Sequence, residues 1–528
     1  MDFRTVIGDI PRIHSRRAPD ELAFVDGPVR LSWGTVDDRV NRLANALRDE
    51  LGIGDLDRVA VLAGNCHEYL DVMFAASRAK AVYTGLNVRH HPAEVVEQMR
   101  DCAARVLFVG PGFEEAGAVV AQETGALPVH FRGPNSSYGE LLTAASPEPI
   151  GSHQDPEATY ALTYTSGTTG RPKGAMISSR SEIAFVHSLI IGSETRVDDR
   201  FMLVTPLFHK GGQFAVMHAA YVGRPTVILP RPDPEQMCLT IERERVSVFL
   251  AVPTIMKMLV EHVEQAGAGR YDLSSLRHVL YGSNPIPVGQ IRRFVELFGV
   301  AMCQIGGIGT EGGAGLILDR VDHERALVDP ALAHRLGSCG RVQPGFQMKV
   351  LDDDGREVGP DAIGELVFRG DAYIAGYWDK PEESRRAWRS GWLHSGDIGR
   401  RDRDGYVYYV DRMGGRIKTG GETVYPREVE DALRGHPAVR DVAVVGVPDE
   451  RWGEEIWAVV EHEAPVVAGP ELGQELRACA RERIAGYKVP KRVLFVDALP
   501  RTALGKTAIA EVRALAMAAS SAAPTGRR

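Results

Sequence analysis

The ten residues TSGTTGRPKG, from Thr165 to Gly174, are the part of the sequence best suited to chemistry. They combine four hydroxyls, three glycines and two cationic side chains. They follow an apolar run, Tyr160 to Tyr164, that predicts a strand. Glycine permits backbone angles that turn successive N–H groups toward one point, and the hydroxyls and Lys173 add donors and positive charge. The segment therefore predicts a loop that binds a polyphosphate.

This loop differs from the P-loop of nucleotide-hydrolysing enzymes. No Ser or Thr follows Lys173, Pro172 precedes it, and the next residues, AMIS, predict a strand rather than a helix. The alternative is an ordinary surface loop rich in Ser and Gly. So dense a set of donors beside a lysine is seldom needed merely to turn the chain, which favours phosphate binding.

Length and composition restrict the class of protein. A chain of 528 residues predicts two or more domains, and 44% hydrophobic with 25% charged residues is typical of globular proteins. A net charge of -8 argues against a nucleic-acid binder. The six cysteines are scattered and form no CxxC pattern, which predicts a protein with reduced thiols. The sequence shows no signal sequence and no apolar run long enough to span a membrane, so we expect a cytoplasmic protein without a membrane span. A homo-oligomer is compatible with the sequence, which leaves the oligomeric state open.

The phosphate loop resembles the signature of the adenylate-forming superfamily, which contains acyl-CoA synthetases, aryl-CoA ligases, luciferases and the adenylation domains of peptide synthetases. Further motifs keep the superfamily's order from about Tyr160 to Lys506, so the resemblance covers most of the chain. It implies that a carboxylate attacks the α-phosphate of ATP to give an acyl-adenylate and pyrophosphate. A thiol, usually of coenzyme A, then displaces AMP. ATP (or AMP as the acyl-adenylate), Mg²⁺ and coenzyme A are the implied cofactors.

The resemblance assigns ATP contacts to the phosphate loop and a catalytic role to its first residue. The implied ATP ligands in this loop are Thr165, Ser166, Gly167, Thr168, Thr169, Gly170 and Lys173.

The motif PLFHKGG, Pro206 to Gly212, matches a superfamily segment whose histidine lies beside the substrate carboxylate. The resemblance implies a catalytic and acyl-binding role for His209 and an acyl-binding role for Gly211 and Gly212. Amino-acid-activating members place an Asp near this segment to pair with the substrate ammonium. Because His209 offers no such fixed negative charge, a substrate without an α-amine is favoured.

Two later motifs correspond to the adenine site. In YGSNPIP, Ser283, Asn284 and Pro285 occupy the place of a Gly-rich turn whose backbone flanks the base. The pattern there is usually two glycines and a small residue, and the residues present still allow backbone contacts to adenine.

The motif QIGGIGTEGG departs from the superfamily pattern at two positions. Thr310 and Glu311 are kept, and the resemblance assigns Glu311 to Mg²⁺ and catalysis. Gly307 stands where an aromatic ring stacks on adenine, and Ile308 stands where a glycine is usual. A lost base–aromatic stack costs about 1–3 kcal/mol. Two alternatives follow. In the first, other contacts compensate for the lost stack, adenylation is preserved and Ile308 shapes the acyl pocket. In the second, adenylation is weakened and the enzyme mainly converts an acyl-adenylate supplied from elsewhere.

The remaining motifs concern the ribose, the hinge and the second substrate. Asp397 in GWLHSGDIG and Arg412 in YVDR match residues that contact the ribose and phosphate of the nucleotide. The position two residues after that arginine is the superfamily's hinge, here Gly414, and glycine tolerates the dihedral changes of a hinge. Gly420 and Gly421 in KTGGE match the lining of the pantetheine tunnel of coenzyme A.

Lys506 in LPRTALGKTAI matches the superfamily's adenylation lysine. The resemblance implies that it bridges the carboxylate oxygen and the α-phosphate as negative charge builds up in the transition state. Its presence favours a working adenylation step.

Alternating helix and strand patterns predict an α/β protein with two parts. We expect a large N-terminal domain of several subdomains with mixed sheets (1–411), a hinge (412–415), a small mobile C-terminal α+β lid (416–516) and a disordered tail (517–528).

The predicted function is an acid–thiol ligase, an AMP-forming acyl-CoA synthetase acting on an apolar or aryl carboxylic acid. Three alternatives remain open. The protein could perform thioesterification alone, transfer the acyl group to a carrier-protein thiol, or bind an acyl-nucleotide without turnover.

Overall fold

The computed structural model describes most of the chain. The described residues are 5–133, 136–150, 155–165, 172–267, 269–282, 286–412, 415, 417–419, 422–449, 452–463, 468–484, 486–501 and 507–522.

The strands occur throughout the chain and are numbered in chain order. They are β1 (Leu22–Asp26), β2 (Val29–Ser32), β3 (Arg58–Leu62), β4 (Val82–Gly85), β5 (Val106–Val109), β6 (Leu127–His130), β7 (Thr159–Thr165), β8 (Lys173–Ser178), β9 (Phe201–Leu203), β10 (Thr226–Ile228), β11 (Val248–Ala251), β12 (His278–Gly282), β13 (Ala301–Ile308), β14 (Gly313–Leu318), β15 (Arg341–Val342), β16 (Phe346–Leu351), β17 (Gly364–Gly370), β18 (Trp388–Arg389), β19 (Trp392–Arg401), β20 (Val407–Arg412), β21 (Ile417–Thr419), β22 (Glu422–Val424), β23 (Val439–Asp449), β24 (Gly453–His462) and β25 (Arg492–Val496).

The α-helices are numbered in the same way. They are α1 (Ile10–Arg17), α2 (Trp33–Asp49), α3 (His67–Arg78), α4 (Pro92–Cys102), α5 (Glu114–Thr124), α6 (Tyr138–Ala144), α7 (Ser179–Gly192), α8 (Lys210–Tyr221), α9 (Pro234–Glu244), α10 (Pro253–Ala266), α11 (Val288–Phe298), α12 (Gly309–Gly312), α13 (Arg320–Val328), α14 (Pro381–Ala387), α15 (Pro426–Arg434), α16 (Pro470–Arg481) and α17 (Ile509–Ala522). Among the helices of the described residues, none is both long enough and apolar enough to cross a bilayer.

The chain divides into two compact units. The larger unit comprises residues 1–348, 367–395 and 402–408, and the smaller unit comprises 349–366, 396–401 and 409–528. The predicted domain boundaries, with a hinge at 412–415, stay a prediction.

Two mixed sheets form the centre of the larger unit. One has the strand order β6-β5-β3-β4-β7-β8, and the other has the order β15-β14-β13-β12-β11-β9-β10-β1-β2. Most of their pairs are parallel, whereas the β7–β8, β1–β2, β13–β14 and β14–β15 pairs are antiparallel. Inner strands such as β4 and β5 are buried along their whole length, as expected of parallel strands covered on both faces. This arrangement confirms the predicted α/β class with mixed sheets.

The smaller unit is built on a sheet of order β22-β21-β24-β23, with β25 beside β24. β23 and β24 form a long antiparallel pair, and β25 joins β24 in parallel. The helices α15 and α17 contact β23, and α16 contacts α15 and β25. The core on one side includes Val429, Val444 and Leu476. This is the small α+β arrangement that the sequence predicted.

A further five-stranded sheet has the order β16-β17-β19-β18, with β20 beside β19.

The C-terminal segment differs from the expected disordered tail. Residues 517–522 lie in α17, and 523–528 are outside the described residues. The alanine-rich end has high helix propensity. In addition, Val512 and Ala516 are fully buried in a cluster with Val445 and Val459 of the β23–β24 pair. Burial of these two side chains stabilises the helix that the lack of sequence periodicity concealed.

Three buried histidines of the larger unit make its stability sensitive to acid. Burial lowers the pKa of His218 to about 3 and the pKa values of His278 and His323 to about 4. Each ring is neutral when folded and binds a proton when unfolded below its ordinary pKa, so the unfolded state binds more protons and stability falls with falling pH.

We therefore expect these three histidines together to lower the free energy of unfolding by about 4 kcal/mol per pH unit between about pH 6 and pH 5. Each histidine contributes about 1.4 kcal/mol per pH unit. Denaturant titrations at several pH values measure this slope. His323→Gln should reduce the slope by about 1.4 kcal/mol per pH unit, because it removes one histidine whose pKa is lowered by burial in the folded protein. A slope that is unchanged in this variant would contradict the assignment.

Candidate active site

The β7–β8 hairpin carries the predicted phosphate loop. Thr165 is the last residue of β7, Lys173 is the first of β8, and the two are paired in register. The strands predicted on either side of the loop are thus confirmed. Ser166, Gly167, Thr168, Thr169 and Gly170 lie outside the described residues.

A distant segment lies along the other edge of β8 and brings Tyr377 beside the hairpin. Trp378 N donates to the carbonyl of Gly174 at 2.8 Å, and Met176 N donates to the carbonyl of Gly376 at 3.0 Å. The ammonium of Lys173 lies 5.8 Å from the centre of the Tyr377 ring. This contact holds a cation and an aromatic ring next to the phosphate loop.

Glu311 lies in the short helix α12 and is oriented by the same tyrosine. The Tyr377 hydroxyl donates a hydrogen bond to Glu311 Oε1 at 3.0 Å. Ile374 N donates to the carbonyl of Glu311 at 2.9 Å, which ties α12 to the chain segment that leads to Tyr377. A Cβ on Gly312 would lie 1.9 Å from the Tyr373 ring, so the turn requires glycine there. The structure thus brings Lys173, Tyr377 and Glu311 together.

The two unusual residues before α12 form a β-bulge. Between Gly306 and Ile308 the register of β13 against β14 shifts, and Gly307 adopts φ 123° within this irregularity. Gly307 is exposed, whereas the side chain of Ile308 is 3% exposed. A positive φ of this size favours glycine strongly. The backbone conformation therefore supplies a physical reason for the glycine at a position where an aromatic residue was expected.

Replacement of Gly307 with alanine is expected to destabilise the protein by about 1–3 kcal/mol because of backbone strain. Gly309→Ala is the matched control. Gly309 has no atom within 4 Å of its hypothetical Cβ and is not among the residues with positive φ. Thermal or denaturant unfolding of both variants measures the difference. Equal stability of the two variants would show that the bulge tolerates a side chain at 307.

His209 lies at the N-cap position of α8, in a loop fixed by several buried groups. His209 N donates to the carbonyl of Pro206 at 3.1 Å, and its ring lies 4.4 Å from that of Phe208. Asn65 donates to the carbonyl of Thr205 at 3.1 Å and accepts from Leu207 N at 2.9 Å.

Glycines and one amide complete this loop. A Cβ on Gly212 would lie 2.2 Å from the Pro206 carbonyl, whereas Gly211 has more space, with Leu250 at 4.0 Å. Gln213 donates to the carbonyl of Leu207 at 3.1 Å and accepts from the hydroxyl of Thr163 on β7 at 3.0 Å. These contacts tie the start of α8 to the strand that leads into the phosphate loop.

The elements that carry these residues meet in the larger unit. α12 contacts both β7 and α8. The end of β7, the His209 loop and the Glu311 turn are therefore neighbours, as a single site requires. Thr310 and Ile308 belong to the same turn or lie directly before it. Ser283, Asn284 and Pro285 follow β12 and lie outside the described residues.

The smaller unit holds the other predicted nucleotide contacts. Asp397 is half-buried on β19, directly after Gly396, whose N–H donates to Glu365 at 3.3 Å. Arg412 is the last residue of β20, which pairs with β19. This pairing places both positions in one sheet.

The predicted hinge, tunnel glycines and catalytic lysine lie outside the described residues: Gly414, Gly420, Gly421 and Lys506. Thr419 and Glu422, on either side of the two tunnel glycines, are paired across β21 and β22. Arg501 and Thr507, on either side of the lysine segment, form an antiparallel bridge.

Comparison with known proteins identifies the family. Residues 12–378 match the AMP-binding enzyme family, and residues 428–506 match the AMP-binding enzyme C-terminal domain. The chain belongs to the AMP-binding enzyme family. A feruloyl-CoA synthase from Amycolatopsis sp is 38% identical over 96% of this chain and 98% of its own. An indoleacetate–CoA ligase from Aromatoleum aromaticum is 36% identical over 95% of this chain and 96% of its own.

A solved structure agrees with this assignment. The o-succinylbenzoate CoA synthetase from Bacillus subtilis, in complex with its acyl-adenylate intermediate, has a TM-score of 0.83 and 26% identity, covering 96% of this chain and 98% of its own. The predicted class of AMP-forming acid–thiol ligase, working through an acyl-adenylate, is confirmed. A carboxylic acid, ATP and coenzyme A are accordingly the small-molecule partners.

Glu311 of this AMP-binding enzyme fits a Mg²⁺ ligand. Mg²⁺ is bound through one or two carboxylates together with substrate phosphates. Glu311 is half-buried, and its carboxylate is oriented by Tyr377 beside the phosphate loop. When bound, Mg²⁺ would neutralise charge on the ATP phosphates.

Another cluster of possible ligands, Asp26, His67 and Glu68, fits a metal less well. The guanidinium of Arg132 donates to Asp26 at 2.6 Å and to Glu68 at 2.7 Å, so the two carboxylates already have a cation.

Sequence reasoning missed Tyr377, Asn65 and Gln213. Tyr377 lies in AGYWDKP, a segment that follows the superfamily spacing, but nothing in this local pattern indicates that the tyrosine hydroxyl contacts Glu311. The apolar run RVAVLAGN, Arg58 to Asn65, predicts a buried strand that includes Asn65, whereas β3 ends at Leu62. The early end of the strand leaves the Asn65 amide in a loop, where it bonds to the backbone of the His209 loop.

Proposed function

We propose that this enzyme converts an aryl carboxylic acid without an α-amine into its coenzyme A thioester. The observation that carries the proposal is that two relatives of near-equal length are named for ferulate and indoleacetate, both aromatic acids. His209 in place of an acidic residue agrees with a substrate that brings no ammonium group. We also propose that the enzyme acts in the cytoplasm, because its six cysteines are free, as in reducing compartments.

In the first half-reaction, a carboxylate oxygen of the acid forms a bond to the α-phosphorus of ATP and pyrophosphate leaves. The phosphate loop from Thr165 to Lys173 would orient the triphosphate, Glu311 would hold the site's divalent cation, and Lys506 would stabilise the growing negative charge. Support comes from the contacts that bring Lys173 and Glu311 to the same tyrosine.

In the second half-reaction, the sulfur of coenzyme A attacks the acyl carbonyl and AMP leaves with the bonding electrons, while the thiol proton is released. Rotation of the lid about Gly414 would exchange Lys506 for the tunnel glycines Gly420 and Gly421. Asp397 and Arg412 would hold the nucleotide ribose and phosphate through both steps.

Thioesterification alone is the second candidate function. Gly307 favours it, because no aromatic side chain projects from this bulge to stack on adenine, and a lost stack weakens nucleotide binding by about 1–3 kcal/mol. Ile308 does not strengthen this alternative, since its side chain is buried within the fold.

Purified enzyme with ATP, Mg²⁺ and a panel of acids tests both candidates. The panel comprises a hydroxycinnamate, an arylacetate, octanoate and an α-amino acid. Pyrophosphate release reports adenylation, and mass spectrometry of the thioester reports the complete reaction. We expect kcat/KM for one aromatic acid to exceed that for octanoate by about tenfold or more, as one well-filled apolar pocket permits.

Synthetic acyl-adenylates with coenzyme A separate the candidates. Thioester from the adenylate but none from acid and ATP would establish thioesterification alone. A preference for octanoate would overturn the aryl assignment, and transfer to a carrier-protein thiol but not to coenzyme A would overturn the acceptor.

A further inference from the structure

A buried ion pair joins α7 and α8 directly beside His209. The ammonium of Lys210, the first residue of α8, donates to Glu182 Oε2 on α7. The side chain of Glu182 is 0% exposed and that of Lys210 is 7% exposed. The same ammonium lies 5.2 Å from the centre of the Phe214 ring. A charge pair is thus enclosed at the point where the His209 loop becomes a helix.

Stability alone does not account for this pair. Glu182 Oε1 is buried and has no hydrogen-bond donor among the described residues. The Tyr160 hydroxyl is also buried, and its pKa is raised by burial and then by the negative charge of Glu182. An enclosed ion pair with an unsatisfied oxygen is often no more stable than apolar side chains of similar volume. The pair is better explained by the geometry that it maintains.

The elements that carry this ion pair connect the His209 loop with the Glu311 turn. Phe214, one turn after Lys210, lies 4.0 Å from Phe185 of α7. The Phe185 ring also packs against Gly313, the residue directly after α12. A Cβ on Gly313 would lie 2.7 Å from this ring. α7 therefore contacts the start of α8 through the ion pair and the end of α12 through Phe185. A shift of Lys210 would move His209, which precedes it in the chain.

We propose that Glu182 and Lys210 are positioning residues, which hold His209 at the place where the carboxylate of the acid substrate is bound for attack on ATP. This inference rests on the proposed function of the site. It assigns the ion pair to acid binding and alignment, and assigns it no contact with substrate. The phosphate loop lies on the β7–β8 hairpin rather than on α8, so we expect its nucleotide contacts to change less than acid binding when the pair is replaced.

The decisive variant replaces both members with apolar residues, Glu182→Leu with Lys210→Met. Apolar replacement of a buried pair is often neutral or stabilising, so the fold is expected to survive. We expect KM for the acid to rise and kcat for adenylation to fall by about tenfold each, since small misplacements near reacting groups have effects of this size or larger. KM for ATP should change by less than about twofold.

Two further variants guard against failure to fold and non-specific effects. Glu182→Asp keeps the charge but shortens the side chain, and we expect a smaller rise in KM for the acid with ATP binding unchanged. The control pair Arg30→Met with Glu244→Leu removes the Arg30–Glu244 ion pair between β2 and α9, together with the contact between Glu244 and Arg200. β2 and α9 carry no predicted site residues. It should leave both Michaelis constants unchanged.

Unchanged acid kinetics in a folded double variant, or equal changes in the acid and ATP constants, would overturn the inference. Calorimetric binding of a non-hydrolysable aroyl-sulfamoyl adenosine, a stable analogue of the acyl-adenylate, gives a second measurement that needs no turnover. An analogue affinity that is about tenfold lower in the double variant supports the inference. This holds even if the wild-type enzyme forms no adenylate, and that result would overturn the proposed function alone. Equal affinity in wild type and double variant overturns it.

Discussion

Replacement of Lys506 with alanine is expected to slow acyl-adenylate formation by about 10²- to 10³-fold. Lys506 follows Gly505 in LPRTALGKTAI, and the superfamily resemblance assigns its ammonium to the growing charge between the carboxylate and the α-phosphate. Loss of a donor that acts in the transition state lowers kcat more than it raises KM for the acid. Pyrophosphate release in the presence of ATP, Mg²⁺ and the preferred acid measures this step.

The second half-reaction separates this role from a general loss of structure. Thioester formation from synthetic acyl-adenylate should keep its rate in the Lys506→Ala variant, because the proposed lid rotation removes Lys506 before the thiol attacks. Lys257→Ala is the matched control, since Lys257 is 63% exposed on α10 and pairs with Glu261. Equal losses in both half-reactions would assign Lys506 a structural or nucleotide-binding role instead.

Local features of the sequence predicted much of the fold. Apolar residues at helical spacing from Val36 to Leu51 predict a helix. In the structure α2 begins at Trp33, and the Ser32 hydroxyl accepts a hydrogen bond from Thr35 N as an N-cap does. The segment PREVEDALRGHP predicts a helix with Pro426 in its first turn and Gly435 just past its end, and α15 begins at Pro426 with Gly435 at its C-cap. These signals act within one or two turns of chain, so a single sequence contains them completely.

The candidate site was predicted in its motifs but not in its connections. The hydrogen bond between Tyr377 and Glu311 joins residues 66 positions apart, and Asn65 bonds to a residue 142 positions away. No local pattern encodes such pairs, because they depend on which strand edges and loops the complete fold brings together. The Glu182–Lys210 pair was missed for the same reason.

Gly307 shows how a departure from a motif can have a cause in the backbone. The sequence indicated a lost stacking ring and raised the question of weakened adenylation. The structure adds a bulge with φ 123° at this glycine, which strongly disfavours any side chain. The glycine and the bulge therefore belong together.

Substitution of Glu311 with glutamine is expected to lower the rate of adenylation by about 10²-fold and to raise the Mg²⁺ concentration needed for half-maximal rate. The amide keeps the size of the side chain and can still accept the Tyr377 hydrogen bond, which measures 3.0 Å in the native protein. Loss of the negative charge is then the main change. Titration of the adenylation rate with Mg²⁺ at saturating ATP and acid measures both effects.

Tyr377→Phe distinguishes the charge of Glu311 from its orientation. Removal of one hydrogen bond to a charged group costs at least about 1.5 kcal/mol. Because the carboxylate itself remains, we expect a loss near this lower limit, about tenfold and smaller than that of Glu311→Gln. Because the carboxylate remains, excess Mg²⁺ should restore part of the Tyr377→Phe rate but little of the Glu311→Gln rate. Glu261→Gln, at an exposed position on α10, is the matched control. If Glu311→Gln keeps the native Mg²⁺ dependence, the divalent cation is held elsewhere, and the contact between Tyr377 and Glu311 serves to fix the turn at α12 against the phosphate-loop hairpin.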